Sequence, residues 1–309
     1  NILHVAQNTE SAAKRFNKSV IDIERVLEAS RKKLFLHRSK RPAPHLDDKI
    51  LTDWNGLMIA SFAFASRVLN EPRYLKAAEE AAQFIQTTLQ DKNGRLLHRF
   101  RDQEAAIDAT LDDYAFLIHG YLTLYEAGFD DLWLKESQRL FGGMVDEFWD
   151  KDRGGFYQTS VKTTDLIARL KIDTDGAIPS GNSIAALDAI RLGCFTGSAE
   201  YEMITRKIFS AFSDNLTAQP TAYSQMLTAL DFAVGPSYEI RLAAVKRDKV
   251  FEAMLQEIDL RFLPNKITMW VREDGGKPPV NGKTTATICK DRACSLPITD
   301  LEEFKRKLN

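Results

Sequence analysis

The sequence predicts a mainly α fold, an (α/α) toroid of repeated helical hairpins, followed by a small C-terminal α/β module. Three observations carry this expectation. Residues 54–66, 114–125, 176–187 and 216–230 contain no Lys, Arg, Asp or Glu, and helices apolar on every side are enclosed on every side. Between them, residues 71–90, 130–150 and 199–215 combine helical spacing with ample charge, as outer helices should. The register also repeats: Asn55 to Tyr74, Tyr114 to Trp133 and Asn182 to Tyr201 each span 19 residues. Each step covers an inner helix, a turn and the first turn of an outer helix, so the unit is an αα-hairpin recurring about every 60 residues. Uncharged inner helices favour closure into a ring over an open solenoid.

In chain order, Asn1-Ile2-Leu3-His4-Val5 reads as a strand entered midway, so residues 1–19 are expected to be the remnant of an upstream region and the chain a piece of a longer protein. The run from Arg31 to Arg41 is a solvated charge run leading into Pro42. The toroid is expected over 20–235. Two of its hairpins end in similar turns, Asp91-Lys92-Asn93-Gly94-Arg95 and Asp150-Lys151-Asp152-Arg153-Gly154-Gly155, each before a β-prone stretch, 96–100 and 156–159. Past Gly235-Pro236 the pattern changes to the module, 236–309: strands at 238–245, 267–271 and 284–290, a helix at 248–262, and a helix at 299–308 with Thr299 as N-cap and Glu302 at N3. Asp274-Gly275-Gly276-Lys277 joins strands without a following helix and reads as a turn, not a phosphate loop.

Composition narrows the function classes. The 309 residues are 44% hydrophobic and 28% charged, with a formal charge of −1. That balance excludes disorder and offers no global field for nucleic acid or an anionic membrane. The apolar runs are too short for a spanning helix, which needs about 20 residues. Three cysteines are too few for a disulfide framework, so the cytoplasm is the expected compartment.

In a toroid the N-termini of the inner helices converge on one face, where free backbone N–H groups favour polar ligands. The residues there are Asp53-Trp54-Asn55-Gly56, Leu111-Asp112-Asp113-Tyr114, Pro179-Ser180-Gly181-Asn182-Ser183 and Ala222-Tyr223-Ser224-Gln225. Carboxylates, aromatics and amides together suit sugars, whose ring faces stack while their hydroxyls pair. Asp47, Asp48 and Asp53 precede one inner helix and Asp112 and Asp113 open another, so an acid pair for glycoside cleavage can face across the mouth. Asp48 and Asp113 are the preferred catalytic pair; the competing reading is helix capping, or pairing with Lys49 or Arg99. Epimerisation would instead use histidines as bases. Of these, His45 is the better site candidate, whereas His119 reads as interior. Trp54, Tyr114 and Tyr223 are stacking platforms or wedges between hairpins. Asn55, Ser180, Asn182 and Gln225 bind hydroxyls or cap helices, and Arg99 reaches an acidic ligand group or solvent. Cys289 and Cys294 form a C-x4-C pair, either buried thiols or a redox-active pair, and Cys194 is expected in the core. No His cluster completes a zinc site, and neither metal nor cofactor is expected.

Several strings give this chain a relative. His45-Leu46-Asp47-Asp48-Lys49, Trp54-Asn55-Gly56-Leu57, Leu111-Asp112-Asp113-Tyr114-Ala115-Phe116, Ile178-Pro179-Ser180-Gly181-Asn182-Ser183, Phe262-Leu263-Pro264-Asn265-Lys266 and Cys289-Lys290-Asp291-Arg292-Ala293-Cys294 occur in order along the chain. In them it resembles the thioredoxin-domain-containing proteins that include spermatogenesis-associated protein 20. The resemblance implies an N-terminal thioredoxin-like domain upstream, as partner of a toroid similar to six-hairpin glycosidases and N-acylglucosamine 2-epimerases, with this chain the C-terminal portion. It transfers no established reaction. The expected function is binding, and processing by acid/base chemistry, of a carbohydrate-like ligand. The alternative is a non-catalytic docking or scaffold module that presents the thioredoxin-like domain to partners, with which Cys289 and Cys294 could exchange.

Overall fold

A computed structural model of the protein describes residues 4–272, 279–291 and 293–308. The chain divides into two compact units, Asn1–Asp48 and Lys49–Asn309. The first holds α1 (Thr9–Phe16) and α2 (Val20–Arg38). Asn8 caps α1 and Ser19 caps α2 through side-chain oxygens. Most of the charge run of 31–41 forms the last turns of α2. The strand expected over 1–5 is not formed at His4 and Val5, which are irregular; residues 1–3 lie outside the described residues.

The second unit begins with β1 (Ile50–Leu51), α3 (Thr52–Val68) and α4 (Pro72–Thr88), then a hairpin of β2 (Leu97–Arg101) and β3 (Glu104–Asp108). There follow α5 (Leu111–Gly128), α6 (Asp131–Phe148), α7 (Gly181–Thr196), α8 (Ala199–Ala218) and α9 (Ser224–Val234). Helix α3 packs on α5, α5 on α7, and α7 on α9, while α4, α6 and α8 lie against their preceding partners. This is the inner and outer layering of an (α/α) toroid. The most enclosed member is α5, with Phe116, Leu117, Ile118, Tyr121 and Leu122 all fully buried. The small sheet β1-β2-β3 is antiparallel throughout.

The departures from expectation have local causes. Helix α7 starts at Gly181, not 176, because Ser180 caps it: its Oγ accepts the Ser183 N–H at 3.1 Å. It continues to Thr196 and so takes in Asp188 and Arg191, charged yet buried. Residues 216–218 end the outer helix α8, and Pro220 then forces a 3-10 turn, Pro220–Ala222, before α9. The stretch 156–159 is no strand; a single bridge joins Trp149 to Phe156. Helix α3 is not enclosed on every side, since Trp54 is 59% and Phe64 55% exposed. It is the first of the four inner helices, and its face turned away from α4 and α5 is uncovered.

The module consists of β4 (Tyr238–Ala243), α10 (Lys249–Asp259), β5 (Lys266–Val271), β6 (Thr285–Lys290), β7 (Ala293–Cys294) and α11 (Leu301–Lys307). Its sheet order is β5-β4-β6-β7, with β4 parallel to β5 and antiparallel to β6. The cap of α11 is Asp300, not Thr299: its carboxylate accepts the Glu303 N–H at 2.8 Å. The turn expected at Asp274–Lys277 lies outside the described residues. Strand β5 lies against α5 and α7.

Candidate functional site

The starts of α3 and α5 and the strand β2 bring Asp53, His98 and Asp113 together, with one donor atom of each within 4.8 Å of the others. Asp113, fully buried at the third position of α5, is the hub. Its Oδ1 accepts the backbone N–H of Asp53 at 3.1 Å, and its Oδ2 accepts the Thr110 N–H at 2.8 Å and the Thr110 hydroxyl at 3.1 Å. Nδ1 of His98 lies 2.9 Å from Oδ1 and 3.1 Å from Oδ2. Asp53 turns its own Oδ1 to the N–H of Trp54 at 2.7 Å. The two carboxylates therefore start two inner helices, where N–H groups and the macrodipole both favour negative charge.

Electrostatics divides the roles. Burial, and then the charge of Asp113, push the Asp53 carboxyl above the usual carboxylate range. The hydrogen bond that His98 donates to Asp113 raises it above the ordinary imidazole value, against the opposing effect of burial. Burial also raises Asp112, whose Oδ2 accepts from the side chain of Gln158 at 2.9 Å. A buried acid inclined to keep its proton, beside an imidazole inclined to gain one, can give and take protons near neutrality. One nitrogen and two oxygens are also a donor set for a divalent cation, which sequence reasoning did not anticipate.

The other candidate residues are dispersed. Asp48 and His45 are exposed in the first unit; within the second unit the acid beside Asp113 is Asp53. Trp54 is open at the start of α3, and Asn55 donates its side-chain N–H to the Leu51 carbonyl at 2.8 Å. Tyr114 is buried against Phe148, and its hydroxyl accepts the Leu96 N–H at 3.3 Å. Asn182 is committed to backbone: it donates to the carbonyls of Phe156 at 3.0 Å and Ile172 at 2.8 Å and accepts the Phe156 N–H at 2.8 Å. Tyr223 is buried and donates to Asp173 at 3.1 Å, and Ser180 is the cap already described. Asp175 links two helix starts, accepting the N–H groups of Ser180 at 2.9 Å and Gln225 at 2.8 Å. Arg99, on β2, faces Glu104 at 4.0 Å.

Cys289 and Cys294 are joined in a disulfide between β6 and β7, instead of standing as two thiols. Cys289 is buried and Cys294 exposed. Cys194, expected in the core, is half-buried and shares with Cys289 the wall of a cavity of about 660 Å³.

Sequence reasoning missed His98, Asp173 and Asp175. The available signal was the alternation of Leu97-His98-Arg99 on a strand paired beside two acidic helix starts; Asp173 and Asp175, on an irregular segment, carried none.

No protein-family model matches the chain. It is similar to spermatogenesis-associated protein 20 of Homo sapiens, 31% identical across 100% of the chain and 42% of that protein. The chain thus spans less than half the length of the curated relatives it matches. Among solved structures, a GH76 α-mannanase of Bacteroides thetaiotaomicron aligns with a TM-score of 0.47 at 15% identity, over 56% of this chain and 46% of that one. The cellobiose 2-epimerase of Spirochaeta thermophila aligns with a TM-score of 0.45 at 18% identity, over 53% and 43%. Among the described residues, no helix is long and apolar enough to cross a membrane.

Proposed function

We propose that the N-terminal face of the inner helices is an acid/base site for a carbohydrate-like ligand, with Asp53, His98 and Asp113 as its working groups. The observation that supports this most is the convergence of the three on one point from α3, β2 and α5. In this reading Asp53 holds a proton for a leaving or carbonyl oxygen, and His98 exchanges protons with substrate or water. Asp113 positions both. The exposed indole of Trp54 offers a stacking surface to a sugar ring.

The pair inferred from sequence was Asp48 and Asp113, and substitution separates the two assignments. With mono- and oligosaccharides offered to the full-length protein, Asp53→Asn should lower turnover by about 100-fold or more, the scale of a lost acid/base group, while Asp48→Asn leaves it unchanged. The reverse result would return the role to Asp48. If no sugar raises the unfolding midpoint of the full-length protein, the ligand reading fails. The second reading, a non-catalytic docking or scaffold module that presents a thioredoxin-like domain to partners, is favoured by the capping hydrogen bonds that occupy Asp113 and by the open apolar face of α3.

A further inference from the structure

The second halves of the inner helices hold a cluster that the acid/base reading leaves unused. Together with the start of β5 they line an open cavity of about 350 Å³, whose wall includes Phe64, Arg67, Glu126, Arg191, Phe232 and Lys266. That is within the size range of small-molecule sites. His119, expected in a packed interior, lines it.

The ionic groups around this cavity can be counted off against one another. Arg191 donates to Oε2 of Glu126 at 2.8 Å, and Oε1 of Glu126 accepts the backbone N–H of Thr268 at 2.8 Å. Arg67 donates to both carboxylate oxygens of Asp259. Oδ1 of Asp188, a fully buried residue, lies 2.9 Å from Nδ1 of His119, which Arg191 also approaches at 3.3 Å. Arg191 also stands 3.9 Å from Asp188, so by charge the cluster balances, with Arg67, Arg191 and Lys266 against Glu126, Asp188 and Asp259; yet all three cations reach the cavity wall, where Glu126 is the carboxylate among the described residues. Among the described residues Lys266 makes no contact ion pair, although Glu126 and Asp259 lie near enough to favour its charged form. Burial, and then the charge of Arg67, push the Lys266 amine below the ordinary lysine value, against the opposing charges of Glu126 and Asp259.

We propose that this cavity binds a small anion bearing a carboxylate or phosphate group, held by Lys266 and Arg191, with the body of the ligand against Phe64 and Phe232. His119, whose Nδ1 is held by Asp188, presents its other ring nitrogen to the same guest. The anion adds negative charge to a wall that, among the described residues, carries three cations and one carboxylate, and it favours the protonated amine. This site is separate from the acid/base face and does not depend on it.

The experiment uses sodium phosphate and sodium succinate as probes, with sodium chloride at matched ionic strength as control. At least one probe should raise the unfolding midpoint where chloride does not, and it should slow acetylation of Lys266, followed by mass spectrometry. Lys266→Met should weaken binding by about tenfold or more, the scale of a lost hydrogen bond to a charged group. A response to phosphate alone assigns a phosphate ligand, and a response to succinate alone a carboxylate. The proposal is overturned if neither probe acts, or if Lys266→Met keeps the full shift. Should that variant not fold, protection of Lys266 in the unaltered protein decides.

Discussion

The carboxylate of Asp113 accepts from two backbone N–H groups while it holds His98 at 2.9 Å, so capping and acid/base chemistry draw on the same atoms. This has a consequence for stability. His98 is raised above its unfolded value, chiefly by the Asp113 hydrogen bond. Its contribution is therefore fully present below the unfolded imidazole value, about 6.5, and is lost as pH rises through the folded value. Urea unfolding of His98→Gln should accordingly show a larger deficit at the acid end of that window than at the alkaline end. A deficit independent of pH would mean that the imidazole does not titrate against Asp113. Asn182 and Tyr114 teach a related lesson: both were placed correctly at helix starts, but their polar atoms turn inward, Asn182 to Phe156 and Ile172 and Tyr114 to Leu96. Residue type shows that a hydrogen bond will be made, not with what.

Between elements, α3 and α5 approach closely. A Cβ on Gly56 would stand 2.5 Å from the Phe116 carbonyl carbon, and one on Gly120 would stand 2.7 Å from the Gly56 carbonyl oxygen. The two helices meet backbone to backbone, and this closeness is what lets Asp113 reach the N–H of Asp53, the second residue of its neighbour. Gly56→Ala should cost about 1–3 kcal/mol or more, as overpacking does when backbone must move. Chemical denaturation measures this, and a neutral substitution would show that the two helices can part without penalty. Element type and order were legible from charge periodicity. The starts of α7 and α9 were less so, because an uncharged stretch extends past the helix through Gly176–Pro179 and Pro220. Lack of charge does not by itself mark burial: Gly176, Ala177, Ile178 and Pro220 carry none and are exposed.

For the molecule as a whole, the core belongs to the second unit. Among the described residues, the buried hydrophobic side chains before residue 49 are Ala13 and Ile23. A chain of residues 49–309 should thus unfold cooperatively with a midpoint close to that of the full chain, which calorimetry would test; a broad, early transition would mean that 1–48 completes the fold. Within this unit, ion pairs and hydrogen bonds tie the module to the toroid: Arg67 to Asp259, Arg272 to Asp131, and Glu126 to the backbone of Thr268.

By itself the sequence determined the layered hairpins, the change of architecture after Gly235, and the helix starts at which acids and amides gather. These follow from local chemistry, since hydrophobic spacing and capping residues act over a few turns. Only the tertiary structure decided which acid stands beside Asp113, that His98 on β2 joins it, and that Lys266 shares a cavity wall with Arg67 and Arg191. Such pairings link residues far apart in the chain, as Asp53 and Asp113 or Glu126 and Thr268 show. Packing selects them through helix separation and strand register, and no short stretch of sequence encodes either.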